Sequence, residues 1–201
     1  MLIGISRYKV PEFNLQYAAA DARLMSEFQR SPRGGVSAEN ILLLTDGEAT
    51  SLKIRRGLQD LKRRASKNDT VMILIAGRGT VDAGSKNAFI LSYDSDPQDL
   101  KGTALAVGEL QALVTEQFQS AARVILFLDV CRSGAISASS TPSLASRLEG
   151  LGGARGKVFG FLAGKPNQVS IKSPQFGGGH GVFSYYLVKG MQGEADKNGD
   201  R

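Results

Sequence analysis

A chain of 201 residues suits one domain that buries most of the surface its unfolded form exposes, and leaves little room for a second. With 42% hydrophobic and 22% charged residues and no apolar run near the ~20 residues that cross a bilayer, its composition is that of an ordinary soluble globular protein, and a membrane-spanning one is excluded. The net charge of +6 comes from 25 Lys and Arg spread along the chain, not gathered in a tail, which argues against a nucleic-acid interface.

The first element is residues 2–5, "LIGI", an apolar run without the basic flank and cleavage site of a secretory signal, so a cytoplasmic protein is expected. Residues 15–28 follow as an amphipathic helix, 41–44 as a strand and 50–65 as a second helix. Within that helix, "KIRRGLQDLKRRASK" places Ile54, Leu58 and Leu61 at helical spacing, so its dense charges form a solvated face. Residues 71–75 read as a buried strand that stops in a tight turn at Gly77-Arg78-Gly79. Next come a strand at 89–91, a helix at 107–118 and a strand at 124–128 ending in Asp129-Val130-Cys131-Arg132. The segment "SGAISASSTPSLASRLEGLGGARG" reads as a long mobile loop. A strand at 158–162, a glycine loop "SPQFGGGHG" and a helix at 182–191 close the chain.

Strands alternating with helices predict an α/β fold with a mostly parallel sheet covered on both faces. In such sheets the site lies outside the carboxyl ends of the strands, which makes residues 77–79 face 129–134.

Cys131 is the one cysteine, so an internal disulfide and a multi-thiolate metal cage are excluded. At a strand end, beside an arginine and near a helix N-terminus, a thiolate is stabilised; a small buried hydrophobe is the alternative. "AGRGT" and "GGGHG" lack the spacing of a dinucleotide or P-loop fingerprint. In the terminal "DKNGDR", Asp196, Asn198 and Asp200 match the first three ligand positions of an EF-hand loop, but the remaining ligands are missing and no tight site is expected.

"ILFLDVCRSG" resembles the nucleophile strand of caspase-like cysteine peptidases, in particular the metacaspase and orthocaspase branch, whose pattern is Asp, any residue, Cys, His or Arg, Ser or Gly, Gly. "IGISRYKVPEFNLQYAAADARLM", "ILLLTDGEATSLKIRRGL", "DTVMILIAGRGT" and "FLAGKPNQVSIKSPQFGGGHGVFSYYLVKGM" resemble further segments of that family, so the resemblance covers nearly the whole chain. It implies a caspase-like three-layer sandwich over residues 1–193, with 194–201 as a tail that looks like the start of a truncated EF-hand-type loop.

By the same resemblance Cys131 is the nucleophile, and Gly79 gives an oxyanion-hole N–H together with that of Cys131; such donors contribute about 3 kcal/mol each. Asp21 and Asp129 match an acidic pocket for a substrate Arg or Lys, where a carboxylate pair suits a guanidinium fork; for Asp21 an exposed first-helix carboxylate is the alternative. Where the family has Gly-His-Gly, this chain has Arg78, which stays protonated. Arg78 can pair with a Cys131 thiolate, but losing acid–base catalysis costs on the order of 10²–10⁴ in rate. His180, the only histidine, falls at the mouth of the substrate cleft. Arg147 and Arg155 lie in the loop that relatives often cut during activation. Asp94, Asp96 and Asp99 in "YDSDPQD" are candidate calcium ligands, since some metacaspases need calcium, or a solvated turn. The implied function is a cysteine endopeptidase directed at Arg or Lys sites of polypeptides, impaired or inactive. The alternative is a pseudopeptidase that binds basic peptides or pairs with a caspase-like chain, its own copy included.

Overall fold

A computed structural model describes residues 1–118, 121–132, 153–155, 157–164 and 171–199. In chain order these form β1 (Leu2–Gly4), α1 (Ala18–Arg30), β2 (Leu43–Thr45), α2 (Ser51–Arg64), β3 (Thr70–Val81), β4 (Ala88–Ile90), α3 (Leu100–Thr103), β5 (Leu105–Ala106) and α4 (Val107–Ala112). They continue with β6 (Arg123–Arg132), β7 (Gly153–Arg155), β8 (Val158–Leu162), β9 (Lys172–Ser173), β10 (His180–Gly181) and α5 (Val182–Lys189).

The main sheet has the order β2-β1-β3-β6-β8-β7. Its first five strands run parallel, and β7 closes one edge antiparallel to β8. Alternate side chains face opposite sides, so each side has its own core. Leu2, Leu74 and Phe127 pack with Ala18, Ala22 and Met25 of α1 and Val188 of α5. Ile3, Ile73, Ile75, Leu126 and Leu128 pack with Ile54 and Leu58 of α2 and Leu110 of α4. The result is the expected α/β three-layer arrangement, with the central sheet between two helical layers.

Helix α1 lies directly on β1 because position 4 is glycine: a Cβ there would come 2.6 Å from the Ala22 Cβ and nearer still to the Ala18 carbonyl. Its start is fixed from outside the helix, where Ser6 Oγ accepts the Ala19 N–H at 2.9 Å. That remote cap moves the start from the expected residue 15 to Ala18. The expected helix at 107–118 is α4 followed by a π-helical turn, Leu113–Gln117. The basic stretch of α2 is a solvated helix face as expected: Arg55 bridges to Glu109 at 3.0 Å while Ile54 and Leu58 are buried.

Two expectations are corrected. The sequence "GRG" predicts a turn, yet β3 runs through it to Val81. The ladder offers partners throughout, with β6 as far as Gly79–Arg132 and β4 from Gly79–Ile90 onward, so the backbone is satisfied without turning. The reversal comes later, where Asp82 Oδ2 accepts the Ser85 N–H at 2.6 Å and Lys86 takes a positive φ of 60°. Strand β6 likewise continues to Arg132, which puts Cys131 inside a strand instead of a turn. The glycines that do turn the chain are Gly177, Gly178 and Gly179, with φ of 58°, 91° and 138°, joining β9 to β10.

Most of the expected 133–156 loop, including Arg147, lies outside the described residues, as does Asp200. The backbone of Arg155 falls in β7. Among the described residues no helix is long and apolar enough to cross a membrane.

Candidate active site

In the order β2-β1-β3, the chain leaves β1 to one side for β2 and returns to the other for β3, which is the switch point where open sheets form their clefts. The carboxyl ends of β3 and β6 lie side by side there. The register pairs Ala76 with Asp129 and, two residues on, Arg78 with Cys131, so Arg78 and Cys131 share one rung and Asp129 lies two residues before Cys131 on the same strand.

Arg78 is held through main chain and side chain. Its N–H donates to Tyr8 Oη at 2.8 Å. Its Nε donates to the Phe13 carbonyl at 2.7 Å and an Nη to the Asn14 carbonyl at 3.1 Å. The guanidinium is thus anchored to the segment leading into α1. Gly77 makes room for this arrangement, since a Cβ would sit 3.0 Å from the same Tyr8 hydroxyl. Burial raises the Tyr8 phenol above its ordinary range, opposed by the hydrogen bond from Arg78. Gly79, one residue on, lies between Arg132 and Ile90 in the sheet.

Cys131 is half-buried. Burial raises its thiol above the usual range; Lys172 and Arg78 pull it down, while Asp129 and Asp21 push it up. Desolvation is thus the largest influence on the thiol, and it opposes the thiolate that a neighbouring arginine favours.

Asp21 from α1 and Asp129 from β6 are both fully buried, and both lie within 4 Å of the Lys172 ammonium. Asp21 Oδ1 accepts the Gly181 N–H at 3.0 Å and lies 3.1 Å from His180 Nδ1. Its Oδ2 is buried with no hydrogen-bond partner. Burial raises the Asp21 carboxyl above its ordinary range, with Lys172 as the main opposing charge. The placement of Asp21 is thus the buried one of the two readings, and His180 is joined to this carboxylate.

Sequence reasoning did not pick out Lys172. Its Nζ lies 3.5 Å from Asp129 Oδ2 and 3.8 Å from Asp21 Oδ2, and the side chain is only 11% exposed. It reaches the pair from β9, directly across from Gly181. A Cβ on Gly181 would stand 2.7 Å from Asp129 Oδ2 and 3.2 Å from Asp21 Oδ2, so glycine is what lets the two carboxylates close around this strand. One lysine among 25 basic residues carries no local signal; only the register shows it.

The acidic candidates for calcium are occupied by backbone donors. Asp94 accepts the Ser51 N–H that opens α2 at 2.8 Å, Asp96 that of Gln98 at 2.8 Å, and Asp99 that of Gly102 at 3.0 Å. Among the described residues no three His, Cys, Asp or Glu side chains converge as a metal site.

A search of curated proteins gives no match. Among solved structures the chain is similar to the crystal structure of protein GSU0716 from Geobacter sulfurreducens, with 21% identity and a TM-score of 0.52. The alignment covers 67% of this chain and 50% of that one, so the chain spans about half its length, and the likeness concerns the fold. The family model described as the caspase domain, peptidase family C14, matches residues 1–200. With a match over that extent, on a three-layer α/β sheet, the chain belongs to the caspase-domain family.

Proposed function

We propose that this chain is a caspase-family domain of the metacaspase and orthocaspase kind, directed at Arg or Lys side chains of polypeptides and severely impaired as a cysteine endopeptidase. The observation that carries the reading is the Arg78–Cys131 rung. Acyl transfer needs the thiol proton removed as sulfur attacks the carbonyl, and a proton delivered to the departing amine. Arg78 does neither, because a guanidinium stays protonated at neutral pH, and its fork is engaged by the Phe13 and Asn14 carbonyls. Burial also disfavours the Cys131 thiolate. His180 is joined to Asp21 and has its own partner in the pocket.

In this reading Cys131 is the residual nucleophile and Asp21 and Asp129 receive the basic side chain, while Gly79 and Cys131, the oxyanion donors that the resemblance implies, lie in paired strands and would have to leave the ladder to serve. A second reading, a pseudopeptidase that binds basic peptides or a caspase-like chain, is favoured by the guanidinium at position 78 together with the buried Asp21–Asp129 carboxylates. The test is cleavage of Arg- and Lys-containing fluorogenic peptides by the wild type, Arg78→His and Arg78→His/Cys131→Ala. Arg78→His is expected to raise turnover by about 10²–10⁴, and the added Cys131→Ala to remove the gain. A wild type as fast as Arg78→His would overturn the impairment.

A further inference from the structure

Two fully buried carboxylates and a nearly buried ammonium form the floor of this site. We infer that Lys172 is the specificity-determining residue of the pocket, an internal basic occupant of the Asp21–Asp129 pair that an Arg or Lys side chain must displace. This rests on the pocket reading proposed above.

The hold on Lys172 is loose. Charge-assisted N–H···O bonds run at about 2.7–2.9 Å, whereas its two contacts are 3.5 and 3.8 Å, the second beyond hydrogen-bonding reach. Asp21 Oδ2 is meanwhile buried without a hydrogen-bond partner. An unsatisfied buried acceptor is costly, and a single ammonium between two carboxylates does not reach it. A guanidinium, with five N–H donors in a planar fork, has the geometry to bridge both acids at once.

The carrier strand is also separate from the main sheet. β9 pairs with β10 in a two-stranded ribbon of its own, so Lys172 can withdraw without breaking a rung of the central ladder. The pocket cannot hold both cations: two carboxylates balance two positive charges only at the cost of placing two desolvated cations in direct contact. Occupancy is therefore exclusive. A ligand's apparent dissociation constant exceeds its intrinsic value by the reciprocal of the fraction of molecules in which the pair is open.

The test uses the full chain and agmatine, a guanidinium amine with no scissile bond, titrated calorimetrically into wild type, Lys172→Met and Lys172→Met/Asp129→Asn. Lys172→Met is expected to bind agmatine about tenfold or more tightly than wild type, and the added Asp129→Asn to abolish the gain. Equal affinity of wild type and Lys172→Met, or no binding by folded Lys172→Met, overturns the inference. Should that variant not fold, amine acetylation of wild type read by mass spectrometry decides. Lys172 is expected to react more slowly than exposed Lys67, and agmatine to speed the modification of Lys172 alone. An unchanged Lys172 rate at every agmatine concentration counts against displacement. Neither measurement depends on turnover, so peptide cleavage by the wild type would overturn the impairment and leave this inference standing, and failed agmatine binding would do the reverse.

Discussion

Cys131 shows how desolvation and charge compete at one sulfur. Lys172 and Arg78 favour its thiolate, Asp129 and Asp21 oppose it, and burial outweighs the attraction. Since only the thiolate reacts with alkylating agents, the rate of Cys131 modification by iodoacetamide should rise with pH later than that of a free cysteine. Lys172→Met should move the profile to still higher pH and Asp129→Asn to lower pH, each by removing a charge of known sign. A profile matching free cysteine in the wild type would show that burial is not the controlling influence. Arg78 was singled out in the sequence only through a resemblance, as a guanidinium at the position where that family carries an imidazole. Its anchors, the carbonyls of Phe13 and Asn14, were not, because main-chain acceptors leave no mark in residue identity.

The short ribbon β9–β10 decides how tightly the acidic pair can close. Its Gly181 faces both carboxylates at distances that leave no space for a methyl group. Gly181→Ala should therefore destabilise the fold by about 1–3 kcal/mol, read as a lower urea midpoint. Gly47→Ala, where the nearest atom to a new Cβ is Tyr93 Cζ at 3.9 Å, should stay within about 0.5 kcal/mol. Strand cores were readable in advance: the apolar runs at 71–75 and 124–128 lie inside β3 and β6. The far ends were misread. Glycine and arginine at 77–79 look like a turn, whereas the parallel ladder on one side and β4 on the other keep them extended. Local propensity yielded there to pairing with distant β6 on one side and the nearby β4 on the other. The start of α1 was displaced for a similar reason, the cap on Ala19 being supplied by Ser6.

At the scale of the molecule, the two cores share one partition. Ile73, Leu74 and Ile75 of β3, with Leu126, Phe127 and Leu128 of β6, supply side chains to both faces in alternation. Strands buried on both faces belong to the most stable cooperative unit. The amides of residues 73–76 and 126–128 should accordingly exchange with solvent most slowly, at the rate set by global unfolding, and those of the β9–β10 ribbon much faster. Ribbon amides as slow as those of β3 would contradict the independence on which displacement of Lys172 depends. The fold class was evident from the alternation of strands and helices, and the convergence of Asp21 with Asp129 followed from a resemblance. The third member of that group could be found only once β9 and β10 were set in register.

The main-chain bond from Arg78 N–H to the Tyr8 hydroxyl has a bearing on inheritance. The strand at this position is held by its peptide group and by the rung it shares with Cys131, which persist whatever side chain it carries, while the guanidinium's bonds to the Phe13 and Asn14 carbonyls would go with it. A substitution at residue 78 can thus abolish or restore a reaction while leaving the surrounding frame intact, and a lineage can keep the architecture of a peptidase long after its chemistry has gone silent.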